Sequence, residues 1–432
     1  MKRFFLMIAL AVMCFSLGAC GAKKTEVKEE AGFKPQLDTK TACEIKVTGN
    51  YNNFEALEAA FDNFNQIYPN VVLSYVKLDD YNNIIGTALE SNDAPNIYIT
   101  YSWMYGKDTY KACLDHAEDL SDEKLGLNID GIRPGLISRG SSGKVDMLPV
   151  FATTQGMLVN DDLFKKEGLK VPQTYPELLN VCRELKEKGY TSPVMCYPGD
   201  AKSSNISAFG LPIFCGTIYQ NQEAMGKIIR SDPEAGEYVR PTLERLQKLI
   251  ENDYLNLEEC QKMTDNYNSV ILRFFEGDVP MMICFGDAVS GTRKRESQSE
   301  AFVANPFSYS FAPIPADETG AYFYDTTNVQ FSVNKNCENL EMTNEFMRFL
   351  MSGQELNKLA QIKRLLTVTK DLTFDSVYSP FASIPESRII SEEGIQMKDE
   401  VVVRLREALY AVWCEGMSVD EAALKFVSQD AR

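Results

Sequence analysis

The sequence is poor in the side chains on which most catalytic and metal sites depend. It contains one histidine, His116, and two tryptophans among 432 residues. A histidine-based metal site or nucleophile is therefore nearly excluded. Nine cysteines follow Cys20, an odd number with wide scatter and no Cys-x-x-Cys spacing, which argues against a zinc site and a disulfide scaffold. One or two disulfides stay open, and no catalytic residue, metal or cofactor is expected.

Positive charge is also scarce. The chain carries 44 Lys and Arg against 61 Asp and Glu, a net charge of −17. Nucleic acid is therefore not an expected partner, since no basic surface is available to neutralise phosphates. The length and the 44% hydrophobic content are typical of a globular protein of two or three domains.

Long apolar runs are missing after the N-terminus. Lys2 and Arg3 precede an apolar run over residues 4–17, the plan of a secretory signal and too short to span a bilayer comfortably. The run ends in LGAC, which resembles the lipobox of bacterial lipoproteins. The resemblance implies a signal peptide over 1–19 and acylation of Cys20 at the outer face of the cell membrane. An ordinary signal peptide is the alternative. Residues 20–42 are charged and predict a flexible tether.

Strand and helix patterns alternate between residues 44 and 100. Residues 44–48, 71–76 and 96–100 are typical of strands, with a helical pattern after the first strand and another over 81–90. Alternation predicts parallel pairing and an α/β architecture. Ligands gather beyond the carboxyl ends of such strands, here in the loops after the first and third.

The stretch from 148 to 179 has a distinctive order. Residues 148–160 predict extended chain, and Asp161 offers an N-cap for a short helix that Gly168 would close. Thr174 and Glu177 then have the spacing of a capping box at the start of the next helix.

These segments, in this order, resemble the extracellular solute-binding proteins of family 1, the maltodextrin-binding type that serves ABC importers. The resemblance runs from about residue 43 to the C-terminus, through YPNVVLSYV, DAPNIYITYS, LPVFATTQGMLVNDDLFKKEGLKVPQTYPELL, FFEGDVPMMICFGDAVSG, FAPIPADETG and EGMSVDEAALKFV.

The resemblance implies a type II periplasmic-binding-protein-like fold. Two α/β lobes, each a mixed sheet flanked by helices, would be joined by a hinge that the chain crosses near 151–155, 311–315 and 366–370. Lobe one would comprise 43–152 and 313–367, and lobe two 153–312 and 368–432. A ligand would lie in the cleft and be trapped by closure, with no reaction performed.

A sugar site needs aromatic rings for the C–H faces, and carboxylates and amides for the hydroxyls. The candidates that follow strand ends or lie in the predicted hinge are Asn50, Tyr51, Tyr101, Trp103, Thr153, Thr154, Gln155, Phe285 and Asp287. Tyr322 and Tyr324 precede the strand predicted at 329–333, and Phe214 lies in a glycine-rich stretch. Asp287 is the strongest, because a carboxylate can accept two hydroxyl hydrogen bonds. A helix N-cap is its alternative role, disfavoured by an expected helix break at Gly291. Trp103 could instead pack its loop onto the first lobe, and the polar hinge residues could instead hydrogen-bond the hinge backbone. An exposed hairpin is the alternative location for Tyr322 or Tyr324.

The expected function is capture of a mono- or oligosaccharide by a monomeric, lipid-anchored protein and delivery to the permease of an ABC importer. A polyamine is the alternative ligand, suggested by Asp287, Asp325 and the acidic balance. An anionic ligand is disfavoured because the cleft loops supply little positive charge. A sensor component is a further alternative. A secreted glycoside-active enzyme is another, although paired carboxylates are unavoidable in so acidic a chain.

Overall fold

The computed structural model describes residues 32–52, 54–219, 221, 223–392 and 394–428; the predicted signal peptide and Cys20 lie outside them. The fold is formed by the unit that begins at Pro35. Its strands are β1 Cys43–Gly49, β2 Val71–Lys77, β3 Ile97–Thr100, β4 Leu148–Thr153, β5 Gln155–Asn160, β6 Val194–Cys196, β7 Met281–Phe285, β8 Tyr309–Ala312, β9 Pro315–Asp317, β10 Gly320–Ala321, β11 Phe323–Val333 and β12 Ile389–Ser391.

The α-helices are α1 Glu55–Asn65, α2 Tyr81–Leu89, α3 Lys111–His116, α4 Asp161–Glu167, α5 Tyr175–Glu187, α6 Ile206–Ile218, α7 Ala224–Ile229, α8 Gly236–Glu251, α9 Leu257–Cys260, α10 Asn268–Phe274, α11 Asp287–Glu296, α12 Glu300–Ala304, α13 Leu340–Leu350, α14 Gly353–Lys363, α15 Asp399–Cys414 and α16 Val419–Val427. Short 3₁₀ helices are Ser102–Met104, Asp108–Tyr110, Glu123–Leu125, Ile129–Gly131, Pro134–Leu136, Pro233–Ala235, Ser376–Ser383 and Glu386–Arg388. Within the described residues, no helix combines the length and apolarity needed to cross a bilayer.

The first sheet has the parallel pairing that the strand and helix alternation predicts. Strand β1 lies between β2 and β3 and runs parallel to both. Strand β11 extends the sheet, antiparallel to β3 and to β4, and its first residues pair with β12 in parallel. The predicted strands over 44–48, 71–76 and 96–100 are confirmed as β1, β2 and β3, and the α/β class is confirmed.

The second sheet has the strand order β6-β7-β5-β8. Strands β6 and β7 are parallel, and β5 is antiparallel to β7 and β8. Helix α6 packs between this sheet and helices α8 and α15. Because it is buried on all faces, its sequence is apolar all round.

The chain passes from the first sheet to the second within one residue. Strand β4 ends at Thr153, β5 begins at Gln155, and Thr154 lies fully buried between them. On the way back, the β9–β10 hairpin packs against α5 and α6, so the return to the first sheet lies at β11, later than the predicted 311–315. The other lobe boundaries stay predictions.

Most of the helix caps predicted after β5 are confirmed. Gly168 ends α4 in the left-handed conformation with φ 71°, and Thr174 and Glu177 form the capping box of α5. The predicted N-cap of α4 is wrong by one position. Asn160 takes that place, because its side chain accepts a hydrogen bond from the Leu163 N–H.

The last residues of the predicted tether over 20–42 contact the fold. The Gln36 N–H donates to Glu345 Oε1 at 2.7 Å, and the Leu37 N–H donates to the Tyr68 hydroxyl at 3.3 Å. These contacts fix the chain on the fold seven residues before β1 begins at Cys43.

Candidate functional site

The loops after β1 and β3 lie side by side, as expected for the carboxyl ends of neighbouring parallel strands. The Asn50 side-chain amide donates to the Tyr101 hydroxyl at 3.1 Å. Tyr101 stacks on Trp103 with ring centroids 5.4 Å apart, and Tyr110 packs edge-on against the same indole at 5.1 Å. The Lys107 ammonium lies 4.9 Å from the Trp103 ring centroid. Trp103 is thus supported by its own loop and half-exposed, so packing and ligand stacking are compatible.

Tyr51 is held against strand β11 of the first sheet. Its hydroxyl donates to Asn328 Oδ1 at 3.2 Å. Burial, together with nearby Tyr101 and Asp287, raises the pKa of Tyr51 well above its usual value. The phenol therefore stays neutral at physiological pH and can donate a hydrogen bond.

The hinge residues present unpaired polar atoms. Within the described chain, Thr153 Oγ1, Thr154 Oγ1 and Gln155 Oε1 are buried and have no hydrogen-bond partner. Thr153 and Gln155 line the cavity described below, whereas Thr154 instead accepts a backbone hydrogen bond from the Gly286 N–H at 2.8 Å. Buried polar atoms are nearly always paired, so those beside a cavity are positioned to hydrogen-bond a ligand.

Strand β7 ends at Phe285, and Asp287 is the first residue of α11. Burial raises the pKa of Asp287, and hydrogen bonds from its own N–H and that of Ala288 oppose the rise. The N-cap position belongs to Gly286. The expected helix break at Gly291 is wrong. A Cβ there would lie 2.5 Å from the Tyr267 hydroxyl, so this glycine permits close packing inside a continuous helix.

A cavity of about 1430 Å³ lies between the loops after β3 on one side and helices α6, α11 and α15 on the other. Six predicted site residues line it: Trp103, Thr153, Gln155, Phe285, Asp287 and Tyr324. Asn50, Tyr51, Tyr101 and Thr154 do not line the cavity, but Tyr51 contacts the lining residue Asn328 and Tyr101 stacks on Trp103. A volume of this size exceeds that of most small-molecule sites and accommodates several sugar rings.

Two predicted site residues lie elsewhere. Phe214 is fully buried and packs edge-on against Phe426 in the core around α6. Tyr322 lies under the Arg388 guanidinium, whose carbon is 3.8 Å from the ring centroid, and against Gly216 of α6. Neither residue lines the cavity.

Asp325 is not available to a cationic ligand. It is 3% exposed, and Arg133 binds it with two hydrogen bonds, Nε to Oδ2 at 2.7 Å and Nη2 to Oδ1 at 2.8 Å. The polyamine alternative therefore loses one of the two carboxylates on which it rested. Among the described residues, no group of three potential metal ligands is present.

Much of the cavity wall is formed by residues that the sequence did not predict. Thr326, Thr327 and Asn328 line it from within β11, and their signal was a polar run in an otherwise apolar strand. Basic residues also line it: Lys107, Arg139, Lys144, Lys335, Lys398 and Arg406. The expectation that the cleft has little positive charge is therefore wrong, because all of these residues except Lys107 come from segments remote from the predicted loops.

Gly286 is expected to be sensitive to the smallest substitution. In Gly286→Ala, the new Cβ would lie 2.6 Å from the Thr154 carbonyl oxygen and 2.7 Å from Thr153 Oγ1, so the hinge backbone must shift. We expect a loss of about 1–3 kcal/mol in unfolding free energy, measured by urea denaturation. Gly86→Ala is the matched control, because its Cβ would meet only Ala112 Cβ at 3.5 Å inside a helix. Equal stability of the two variants would contradict the expected strain.

Comparison with known proteins shows which family has this architecture. Residues 48–354 match the model of the bacterial extracellular solute-binding proteins. Over 208 residues the chain is 26% identical to the melibiose/raffinose/stachyose-binding protein MelE of Bacillus subtilis, a match covering 47% of this chain and 45% of that protein. The match thus spans less than half of the Bacillus relative. An uncharacterised ABC transporter extracellular-binding protein of Pyrococcus horikoshii is 22% identical over 407 residues, 91% of this chain and 88% of the relative.

Solved structures share the fold. RafE of Streptococcus pneumoniae, seen in complex with raffinose, superposes with a TM-score of 0.69 at 17% identity, over 89% of this chain and 98% of that one. A Bacillus licheniformis sugar transporter in complex with stachyose gives 0.62 at 17% identity, over 89% and 98%. These likenesses confirm the predicted two-lobe type II fold. Because the family match covers well over half of the chain, this protein belongs to the bacterial extracellular solute-binding proteins, a family of binding proteins and not of enzymes.

Proposed function

We propose that the protein captures a carbohydrate in the cavity between its two sheets. The observation that carries this proposal is the pair of buried, unpaired side-chain oxygens, Thr153 Oγ1 and Gln155 Oε1, which line one cavity with Trp103 and Asp287. Hydroxyl-rich ligands satisfy such atoms, and an indole and a phenylalanine ring suit the apolar faces of sugar rings. MelE, a melibiose/raffinose/stachyose-binding protein by name, and RafE, seen in complex with raffinose, are consistent with this ligand class.

Delivery to the permease of an ABC importer, from a lipid anchor on Cys20, is part of the same proposal. Membership of the extracellular family supports the location, and the LGAC sequence at residues 17–20 supports the anchor. Ligand binding would stabilise a closed arrangement of the two lobes, and the permease would recognise that arrangement.

A thermal-shift screen tests the ligand class. Mono- and oligosaccharides should raise the melting temperature, since a ligand at 100 times its dissociation constant adds about 2.7 kcal/mol of stability. Spermidine and putrescine serve as the competing class and should leave it unchanged, because Arg133 already neutralises Asp325. A shift with polyamines and none with any saccharide would overturn the proposal.

A further inference from the structure

One guanidinium in the cavity wall is held in place yet lacks an anionic partner. Arg406 lies on the face of α15 that lines the cavity, and it is half-buried. Its Nε donates to the Ala201 carbonyl oxygen at 3.0 Å, which fixes the plane of the group. Within the described chain, no carboxylate lies within 4.0 Å of Arg406, and its two terminal nitrogens have no protein acceptor.

Among the described residues, two of the six basic side chains in the cavity wall are paired with carboxylates, whereas Arg406 is not. Lys107 pairs with Asp399 at 2.8 Å, and Lys144 pairs with Asp146 at 2.8 Å. Among the acidic groups of the wall, Asp115 pairs with Lys111 and Glu392 accepts a hydrogen bond from the Thr326 hydroxyl. Asp287 and Glu400, an exposed first-turn residue of α15, have no ion pair in the described chain.

Two further cations add to the positive potential around Arg406. Lys398 lies on the same side of α15, and in the described chain it has no carboxylate within ion-pair distance. Arg139 faces the cavity from the opposite wall, where its Nη1 donates to the Gly143 carbonyl at 3.1 Å. Like charges on both walls oppose closure of a cleft unless an anion lies between them.

We propose that the saccharide is an acidic one, a sugar bearing a carboxylate of the uronic acid type, and that Arg406 binds this carboxylate. The inference rests on the proposed function above. A fixed guanidinium with two free terminal nitrogens matches the two oxygens of a carboxylate in parallel hydrogen bonds, whereas single hydroxyls leave this geometry half used. Trp103 and the hinge oxygens would bind the ring and its hydroxyls.

Calorimetric titration of the full chain with matched sugar pairs tests the proposal. Galacturonate, glucuronate and mannuronate oligomers are each compared with the neutral hexose oligomer of equal length, at low and high salt. We expect at least one acidic oligomer to bind roughly tenfold or more tightly than its neutral partner, with a preference that added salt reduces. Binding of neutral oligomers without an acidic preference overturns this inference and leaves the proposed function standing. No binding by either kind overturns both.

Substitution of Arg406 assigns the contact. Arg406→Gln should remove the acidic preference, because it lowers the affinity for the acidic oligomer by much more than the affinity for its neutral partner. Arg406→Lys should keep only part of the preference, because an ammonium retains the charge but cannot donate two parallel hydrogen bonds from one planar group. Arg183→Gln, which removes an exposed charge paired with Glu187, is the control and should change neither. An equal loss for both sugars in Arg406→Gln contradicts the assignment. If that variant fails to fold, the comparison on the wild-type chain still decides the ligand class.

Discussion

Arg133→Leu is expected to cost about 3–5 kcal/mol of unfolding free energy, because it leaves a buried carboxylate without its partner. Asp325 is 3% exposed and accepts both of its close hydrogen bonds from this arginine. The remaining nitrogen, Nη1, donates to the carbonyl oxygens of Thr367 at 2.6 Å and Thr369 at 3.0 Å. One guanidinium therefore joins β11 to the segment near 366–370, where a hinge crossing was predicted.

The loss should depend on pH with a definite sign. Burial raises the pKa of Asp325, and Arg133 lowers it. Without Arg133 the pKa must rise further, so the folded variant binds the proton more tightly than the unfolded chain, whose carboxyl titrates near 3.9. Stability is then lost as pH rises from about 3.9 through the raised folded value. The deficit relative to wild type should be larger at about pH 7.5 than at about pH 4.5.

Urea denaturation at both pH values measures this effect. Adding Asp325→Asn to Arg133→Leu removes the buried, unpaired carboxylate and should recover part of the lost unfolding free energy at neutral pH. Arg183→Leu is the matched control, since its pair with Glu187 is exposed and contributes at most about 0.5 kcal/mol. A deficit that is the same at both pH values, or a double variant no more stable than the single, would show that the pair does not act through its buried charge.

The parts of the fold that local chemistry determines could be predicted from the sequence. Strands β1 to β3, the extended chain at 148–160 and the capping box of Thr174 and Glu177 depend on side chains a few positions apart. The N-cap of α4 was misplaced because Asn160 and Asp161 are neighbouring residues of similar capping ability, and only the backbone geometry selects Asn160.

Residues of the cavity wall are easiest to predict from the sequence where they directly follow a strand. Asp287 and Trp103 follow β7 and β3 directly, and both reach the cavity. Arg406 belongs to α15, whose orientation is set by packing against α6, α8 and α16. The sequence alone therefore does not predict that this side chain faces the cavity. Phe214 shows the opposite error. It was assigned to the site from a glycine-rich stretch, although apolar residues on every face of α6 indicate a core helix.

Asp287→Asn is expected to weaken saccharide binding by roughly 100-fold or more while leaving the unliganded protein at least as stable as wild type. Two hydroxyl hydrogen bonds to a carboxylate, at about 1.5–3 kcal/mol each, account for that loss. In the described chain Asp287 has no ion pair, and the closest groups acting on its carboxyl are its own N–H and that of Ala288. An amide keeps the shape but can accept through only one oxygen.

The expected stability of the unliganded Asp287→Asn variant follows from the pKa of Asp287. Burial raises it, so the ionised form is disfavoured in the folded state, and folding stability falls as pH rises through that value. Asparagine removes this penalty, and the unliganded variant should melt at the same temperature or higher at about pH 7.5.

Wild-type affinity for a neutral saccharide should in turn fall as pH drops through the raised pKa of Asp287, whereas the affinity of the variant should not change with pH. Asp278→Asn, which alters an exposed carboxylate paired with Arg273, should change neither affinity nor its pH profile. A lowered melting temperature with unchanged affinity would assign Asp287 to the fold instead of the ligand.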